Sequence, residues 1–133
     1  MNHGEHGGLK EANELLIDLV LTAATKVHRI LGPGLLEPVY EAALAVELNE
    51  LGIQFKRQVD IPVIYEGSLL GVGFRADIIV DDCLLLELKA VENFAPIHIA
   101  TAINYLKLLK FKRGFLLNFN KTRLKEGIKR ISI

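Results

Sequence analysis

The chain of 133 residues contains a single cysteine and no tryptophan, and it lacks a long uninterrupted apolar run. One cysteine, Cys83, excludes an internal disulfide and suits a reducing cytoplasm, where we expect the protein to reside. The apolar segment LLIDLVLTAA is interrupted by Asp18 and is too short to span a bilayer. The four histidines are scattered without zinc-ligand spacing, and the polar, glycine-rich N-terminus does not resemble a secretory signal.

The chain also has no net charge, with 16 basic and 16 acidic residues. A neutral chain argues against strong nucleic-acid binding by charge alone. The charges are nevertheless unevenly distributed along the sequence. Residues 1–90 carry 7 Lys or Arg and 14 Asp or Glu, whereas residues 91–133 carry 9 and 2. Such a division suits a metal-dependent enzyme that acts on a polyanion, although a basic C-terminal surface that is only solvated explains it equally well.

Hydrophobic periodicity predicts one domain over residues 9–133, preceded by a flexible tail at 1–8. Helices are predicted at 9–31 and 38–51, ended by glycines, and a third helix at 96–110 opens on a proline. Alternating and β-branched segments predict strands at 53–65, 69–80, 83–91, 114–119 and 128–133. The fold class is therefore α/β, with a mixed sheet, helices packed against it, and the order α-α-β-β-β-α-β-β.

Two charged residues, Glu87 and Lys89, interrupt the apolar run of the third strand. Charged side chains are rarely buried without compensation. Since residues two apart on a strand share a face, both point the same way. A three-residue turn at 81–83 would place Asp77 opposite Glu87, with Arg75 opposite Lys89, whereas a two-residue turn would send Glu87 to the other face. The first geometry predicts a pair of carboxylates that could share one cation.

Carboxylate oxygens favour Mg²⁺ or Mn²⁺ over zinc. A cation would relieve the repulsion between Asp77 and Glu87, and a neighbouring lysine could position a water for attack on a phosphate. The plainer interpretation is a structural ion pair between Glu87 and Lys89 at the strand end, and the two residues alone favour neither.

The spacing from Asp77 to Glu87-Leu88-Lys89 resembles that of the PD-(D/E)XK nuclease superfamily. Upstream, GLLEPVY (Gly34, Glu37, Tyr40) resembles the motif of the GxxExxY protein family. The likeness continues through LLLELKAVE, HIATAINYL and GFLLNF, in the expected order from residue 28 to 119. The resemblance implies a restriction-endonuclease-like core and, from the helix that follows the lysine, the RecB-like branch of the superfamily.

The same resemblance implies the roles of the site residues. Asp77, Glu87 and the main-chain carbonyl of Leu88 would bind Mg²⁺ or Mn²⁺, with Glu37 contributing directly or through water. Lys89 would serve the attacking water. Tyr105 occupies the tyrosine of the branch's Gln-x-x-x-Tyr motif, but Thr101 stands in place of the glutamine.

The predicted function is metal-dependent hydrolysis of phosphodiester bonds in DNA, ahead of RNA, with a homo-oligomer or a protein partner left open and no membrane association. Besides the catalytic set, residues predicted to contact substrate are the basic, polar and aromatic side chains Arg75, His98, Thr101, Lys107, Lys110, Lys112 and Arg113.

Each of these residues also has a structural interpretation. Glu37 could be an acidic helix-start residue, Tyr105 a core aromatic, His98 a helix cap and Arg75 the partner of an acid. Two alternatives to a nuclease follow. One is a catalytically weak or inactive nuclease fold that binds nucleic acid or a protein, and the other is a structural or regulatory homo-oligomer with a buried Glu87–Lys89 pair.

Overall fold

A computed structural model of the chain describes residues 8–133. The predicted tail therefore lies outside the described residues except for Gly8. The elements are α1 (Glu14–Leu31), α2 (Glu37–Glu50), β1 (Phe55–Tyr65), β2 (Ser68–Val80), β3 (Leu84–Lys89), α3 (Pro96–Leu109), β4 (Arg113–Asn118), a 3₁₀ turn (Leu124–Gly127) and β5 (Ile128–Ser132). The predicted order of helices and strands is confirmed.

The five strands form one mixed sheet in the order β1-β2-β3-β4-β5. Three of the four pairings are antiparallel, and β3 pairs with β4 in parallel across the α3 connection. Helices α1 and α2 pack on one face of the sheet, and α3 packs on the other. The leucines of β3 alternate between the two apolar clusters, which explains why this strand is apolar on both faces.

The main difference from the predicted boundaries is at the start of α1. The helix begins at Glu14 rather than at residue 9, because the Asn13 side chain accepts the Leu16 N–H at 2.8 Å and caps it. The residues before Asn13 are not helical, and Lys10 instead forms an isolated parallel β-bridge with Phe111. None of the helices in the described part of the chain is long and apolar enough to cross a membrane.

Candidate active site

The turn between β2 and β3 contains three residues, as the paired-carboxylate geometry requires. Val80 pairs with Leu84 and Ile78 with Leu86, which leaves 81–83 as the loop. Asp81 and Asp82 both adopt left-handed backbone conformations, with φ of 49° and 53°. Short polar residues tolerate this region best, so the sequence suits the tight turn.

Past the Ile78–Leu86 pair, side chains replace the main-chain hydrogen bonds between the two strands. The Asp77 N–H donates to Glu87 Oε2 at 2.8 Å. In return, the Leu88 N–H donates to Asp77 Oδ2 at 2.8 Å. The two carboxylates are therefore anchored to each other's strands, at the point where β2 and β3 diverge. The predicted juxtaposition of Asp77 and Glu87 is present in the structure.

Burial and mutual repulsion make these two carboxylates hard to ionise together. The Glu87 side chain is 5% exposed. Burial raises its pKa to about 8, and the charge of Asp77 adds to the effect, while the hydrogen bond from Asp77 N–H opposes it. Burial also raises the pKa of Asp77, with a smaller contribution from the charge of Glu41. The charge of a bound cation would oppose both shifts by favouring the ionised carboxylates.

The donor set at this gap fits a hard divalent cation. Asp77 and Glu87 offer only oxygen atoms, which suit Mg²⁺ or Mn²⁺. No group of three or more His, Cys, Asp or Glu side chains within residues 8–133 is arranged to hold a metal ion. Within this part of the chain the structure therefore brings two carboxylates together, Asp77 and Glu87.

Lys89 lies at the end of β3, two residues after Glu87 on the same face. Its main chain is held by the Phe119 N–H, which donates to Lys89 O at 2.9 Å. Its positive charge lowers the pKa of both Asp77 and Glu87, although burial outweighs the effect. None of the ion pairs within 4.0 Å among residues 8–133 joins Lys89 to Glu87, so the structural ion pair is not formed.

The first turn of α2 brings acidic residues toward the gap. Glu37 is half-buried as the first residue of the helix, and its charge raises the pKa of Glu87. The loop before it is held by Tyr40, whose buried hydroxyl donates to Gly32 O at 2.6 Å and accepts the Leu35 N–H at 3.1 Å. Tyr40 is therefore a core aromatic with a satisfied hydroxyl, and it positions the segment that carries Glu37.

Sequence reasoning missed a polar chain that links α2 and β1 to Asp77. Glu41 is buried one helical turn after Glu37 and accepts hydrogen bonds from Arg57 Nε at 2.9 Å and Gln58 Nε2 at 2.6 Å. The same Gln58 nitrogen lies 3.4 Å from Asp77 Oδ1. The spacing of Glu37 and Glu41 on one helix face was a usable signal. No pattern in the sequence indicated the role of Gln58, because its position depends on a left-handed backbone within β1, with φ of 50°.

Helix α3, which packs on the face of the sheet opposite to α1 and α2, contributes Tyr105. This side chain is largely buried, its ring lies 5.2 Å from that of Phe74, and burial followed by the charge of Glu87 raises its pKa. Thr101 is half-buried one turn earlier on the same face. His98 Nδ1 accepts the Ala95 N–H at 2.9 Å and so caps the helix, as its structural interpretation predicts.

The predicted substrate-contacting basic residues are not all brought to this site. Arg75 donates from Nε to Asp60 on the neighbouring strand at 3.0 Å. Arg113 is opposite Leu84 at the start of β3, which is roughly 16 Å along the strand from Lys89. It contacts Glu14, and its Nη2 lies 2.7 Å from Glu11. Lys112 lies 3.9 Å from Glu11, and the exposed Lys107 and Lys110 belong to the same end of α3.

A second missed residue, Asn118, holds the chain that follows Lys89. It is fully buried beside Lys89 in the parallel ladder. Its side chain accepts the Val91 N–H at 3.1 Å and donates to Val91 O at 2.8 Å. A buried amide bonded to both main-chain groups of Val91 fixes the segment after Lys89 in one conformation.

Comparison with known proteins gives a match to a protein family. A family model described as the PD-(D/E)XK nuclease superfamily matches residues 14–131, which is most of the chain. The match covers every helix and nearly all of each strand, including Glu37, Asp77, Glu87, Lys89 and Tyr105. No curated protein and no solved structure matches the chain significantly.

Proposed function

Because the chain belongs to the PD-(D/E)XK nuclease superfamily, we propose that it hydrolyses phosphodiester bonds in DNA, ahead of RNA, with Mg²⁺ or Mn²⁺. The observation that carries this proposal is the reciprocal anchoring of Asp77 and Glu87, with Lys89 on the same face. A fold maintained only for its stability gains nothing from two buried carboxylates that repel one another. The GxxExxY and RecB-like assignments stay predictions within this superfamily.

The acidic residues would hold the cation and orient it. Asp77 and Glu87 would ligate it directly, with the Leu88 carbonyl as a further ligand and Glu37 contributing directly or through water. When bound, a divalent cation lowers the pKa of water and polarises a phosphate. Gln58, which is itself held by Glu41, donates to Asp77 and would help the carboxylate keep its orientation as substrate enters.

Lys89 and Tyr105 would act on the substrate. The lysine ammonium, which no carboxylate within 4.0 Å neutralises among residues 8–133, is available to orient the water and to stabilise charge developing at the phosphate. Burial and the charge of Glu87 keep the pKa of Tyr105 above its usual value. Its hydroxyl therefore stays protonated and can donate a hydrogen bond to a phosphate oxygen.

The substrate would lie along basic side chains that form no ion pair with another residue among 8–133. Lys107 and Lys110 form none of the ion pairs found in residues 8–133, whereas Lys112 and Arg113 do. We therefore assign backbone contact first to Lys107 and Lys110. Thr101 and His98 would contact the substrate near α3, where the shorter reach of threonine replaces the glutamine of the branch motif.

A second candidate function is a nuclease fold that binds nucleic acid with weak or no catalysis. Thr101 in the glutamine position is the feature that favours it. The two candidates differ in whether bound nucleic acid is cut.

The test is cleavage of end-labelled linear and circular DNA, single- and double-stranded, in the presence of Mn²⁺. Asp77→Asn and Lys89→Ala are compared with two controls at exposed positions that form none of the described ion pairs, Asp18→Asn and Lys56→Ala. Removing a group that contacts the cation or the transition state should reduce the rate by 10²-fold or more, roughly the loss of one electrostatic contact. The controls should match the parent.

Calorimetry with Mn²⁺ on the same proteins separates the two candidates. Binding that requires Asp77 but not Lys89, together with cleavage that requires both, supports the nuclease. Binding of DNA and Mn²⁺ without cleavage of any DNA or RNA supports the binding module. Cleavage retained by folded Asp77→Asn and Lys89→Ala proteins would overturn the proposed site.

A further inference from the structure

A two-stranded arm projects from the edge of the sheet where β2 leaves β3. Because β3 pairs with β2 only over Ile78–Val80, no third strand formed by residues 8–133 lies beside residues 62–74 of the β1–β2 hairpin. We call residues 62–74 the hairpin arm. Its sequence, PVIYEGSLLGVGF, contains one charged residue, Glu66. About a quarter of the whole chain is charged, so the arm differs sharply from the rest.

The hairpin arm exposes its large apolar side chains to water. Val72 is 72% exposed and Leu69 is 68% exposed. Four others are exposed to a lesser extent, namely Ile64, Tyr65, Leu70 and Phe74. Single exposed apolar residues are ordinary, but a contiguous group on one projecting element indicates a surface that another molecule covers.

The shape of the arm provides both a projection and a recess. The strand register shifts between Pro62 and Ile64, where β2 bulges through Gly71 at a φ of 74°. Beside this bulge is an open cavity of about 660 Å³, whose lining includes the apolar Pro62, Leu69, Val72 and Phe74 and the Asp60–Arg75 ion pair. Tyr65 lies beyond it, next to the hairpin turn, and is 64% exposed.

We propose that the hairpin arm is a homodimer interface, occupied by the arm of a second copy of this chain. A projecting aromatic and a recess with apolar walls beside the Asp60–Arg75 ion pair are the two halves of an isologous contact. A two-fold axis would bring Tyr65 of each copy to the recess of the other. With one acidic group in thirteen residues, two arms repel each other little. The absence of Lys and Arg from the arm disfavours nucleic acid as the occupant.

The size of the arm sets the expected strength of the dimer. A standard interface buries roughly 800 Å² and 20–30 residues on each partner. That area would be about a tenth of the 7823 Å² surface of the described chain. The arm has about half the residues of such an interface, so we expect a dissociation constant on the order of micromolar.

Sedimentation velocity of the full chain tests the proposal, at concentrations from about 1 to 300 µM to bracket a micromolar constant. The variant Val72→Lys places a charge in the interface, and Tyr65→Ala removes the projection. Leu15→Lys is the matched control, since Leu15 is 70% exposed on α1, outside the arm. Circular dichroism shows that each variant is folded.

We expect the parent and Leu15→Lys to dimerise with the same constant, and Val72→Lys and Tyr65→Ala to weaken the dimer at least tenfold. A parent that stays monomeric over the whole range overturns the proposal, whether or not the arm binds a different protein. It is equally overturned by a dimer that tolerates both arm variants, or by one that Leu15→Lys disrupts to the same extent.

Discussion

At the scale of single residues, the chemistry of the site depends on a contact that was predictable and on neighbours that were not. Asp77 and Glu87 could be paired from the alternation of strand residues and the length of one turn. The contact of Gln58 with Asp77 could not be predicted, because it depends on a left-handed backbone within β1 and on the bond that Gln58 makes to Glu41. The face to which a strand residue points is set locally by the alternation of side chains, whereas the position of a helix follows from packing of the whole core.

The buried carboxylate of Glu87 makes stability depend on pH in the cation-free protein. Its folded-state pKa of about 8 lies above the ordinary 4.5, so between these values the folded state holds a proton that the unfolded state has lost. This contribution is complete below about pH 4.5 and falls by up to ~1.4 kcal/mol per pH unit as the pH rises toward 8. Glu87→Gln cannot ionise and should lose this dependence. Urea unfolding from pH 5 to 8 with a chelator measures it.

The comparison variant for this experiment is Glu50→Gln, at an exposed position at the end of α2. It should keep the pH dependence of the parent. Asp77, whose pKa is also raised, contributes in the same direction and leaves a smaller slope in Glu87→Gln. An unchanged slope in Glu87→Gln would mean that Glu87 is already ionised in the folded protein.

At the scale of elements, periodicity predicted every helix and strand but not how the last two strands approach each other. The 3₁₀ turn at Leu124–Gly127, which no pattern in the sequence indicated, places Gly127 against Asn118. A Cβ at Gly127 would lie 2.3 Å from Asn118 O and 3.0 Å from Asn118 Cβ. Gly127 and Asn118 lie on different elements, so their contact is seen only in the folded structure.

Gly127→Ala should therefore weaken both the fold and the site. The neighbouring atom is main chain and cannot turn aside, so we expect a loss of ~1–3 kcal/mol in the free energy of unfolding. Displacement of Asn118 should also loosen the segment after Lys89 and reduce cleavage. Urea unfolding and the cleavage assay measure the two effects, with Ser132→Ala on β5 as the control. Full activity in a destabilised variant would show that Asn118 does not position Lys89.

At the scale of the whole molecule, the division of charge along the sequence is partly cancelled in space. The basic C-terminal residues Arg113 and Arg130 both contact Glu14, at the start of α1. Arg130 Nη2 is 2.9 Å from the Glu14 carboxylate. These contacts lower the pKa of Glu14, chiefly through the hydrogen bond from Arg130. An acidic half and a basic half in sequence therefore need not form two separate surfaces.

This cancellation predicts the salt dependence of nucleic-acid binding. Lys89 and six basic residues after residue 90 make no contact with Glu11 or Glu14, so the slope of log K against log salt should not exceed ~6 in magnitude for duplex DNA. The double variant Glu11→Gln/Glu14→Gln releases Lys112, Arg113 and Arg130, and should steepen the slope by ~1–3. Fluorescence anisotropy titrations at several salt concentrations measure both values.

The control for this measurement is Asp18→Asn, which removes an exposed acid of α1 that forms none of the described ion pairs. It changes the net charge without releasing a basic side chain, so the slope should match that of the parent. An equal change in the control and in the double variant would mean that net charge, rather than released cations, sets the affinity.

The three-residue turn before β3 has a consequence for how sequences of this kind can vary. Leu84, Leu85, Leu86 and Leu88 are all buried, on alternating faces, so the strand could be shifted by one residue without exposing any leucine. The same shift would carry Glu87 and Lys89 away from Asp77. Burial of these leucines therefore does little to fix the register in which β3 pairs with β2. A protein with an insertion or deletion at residues 81–83 could still fold, but Asp77 and Glu87 would no longer be paired. We therefore expect selection for activity to remove such changes.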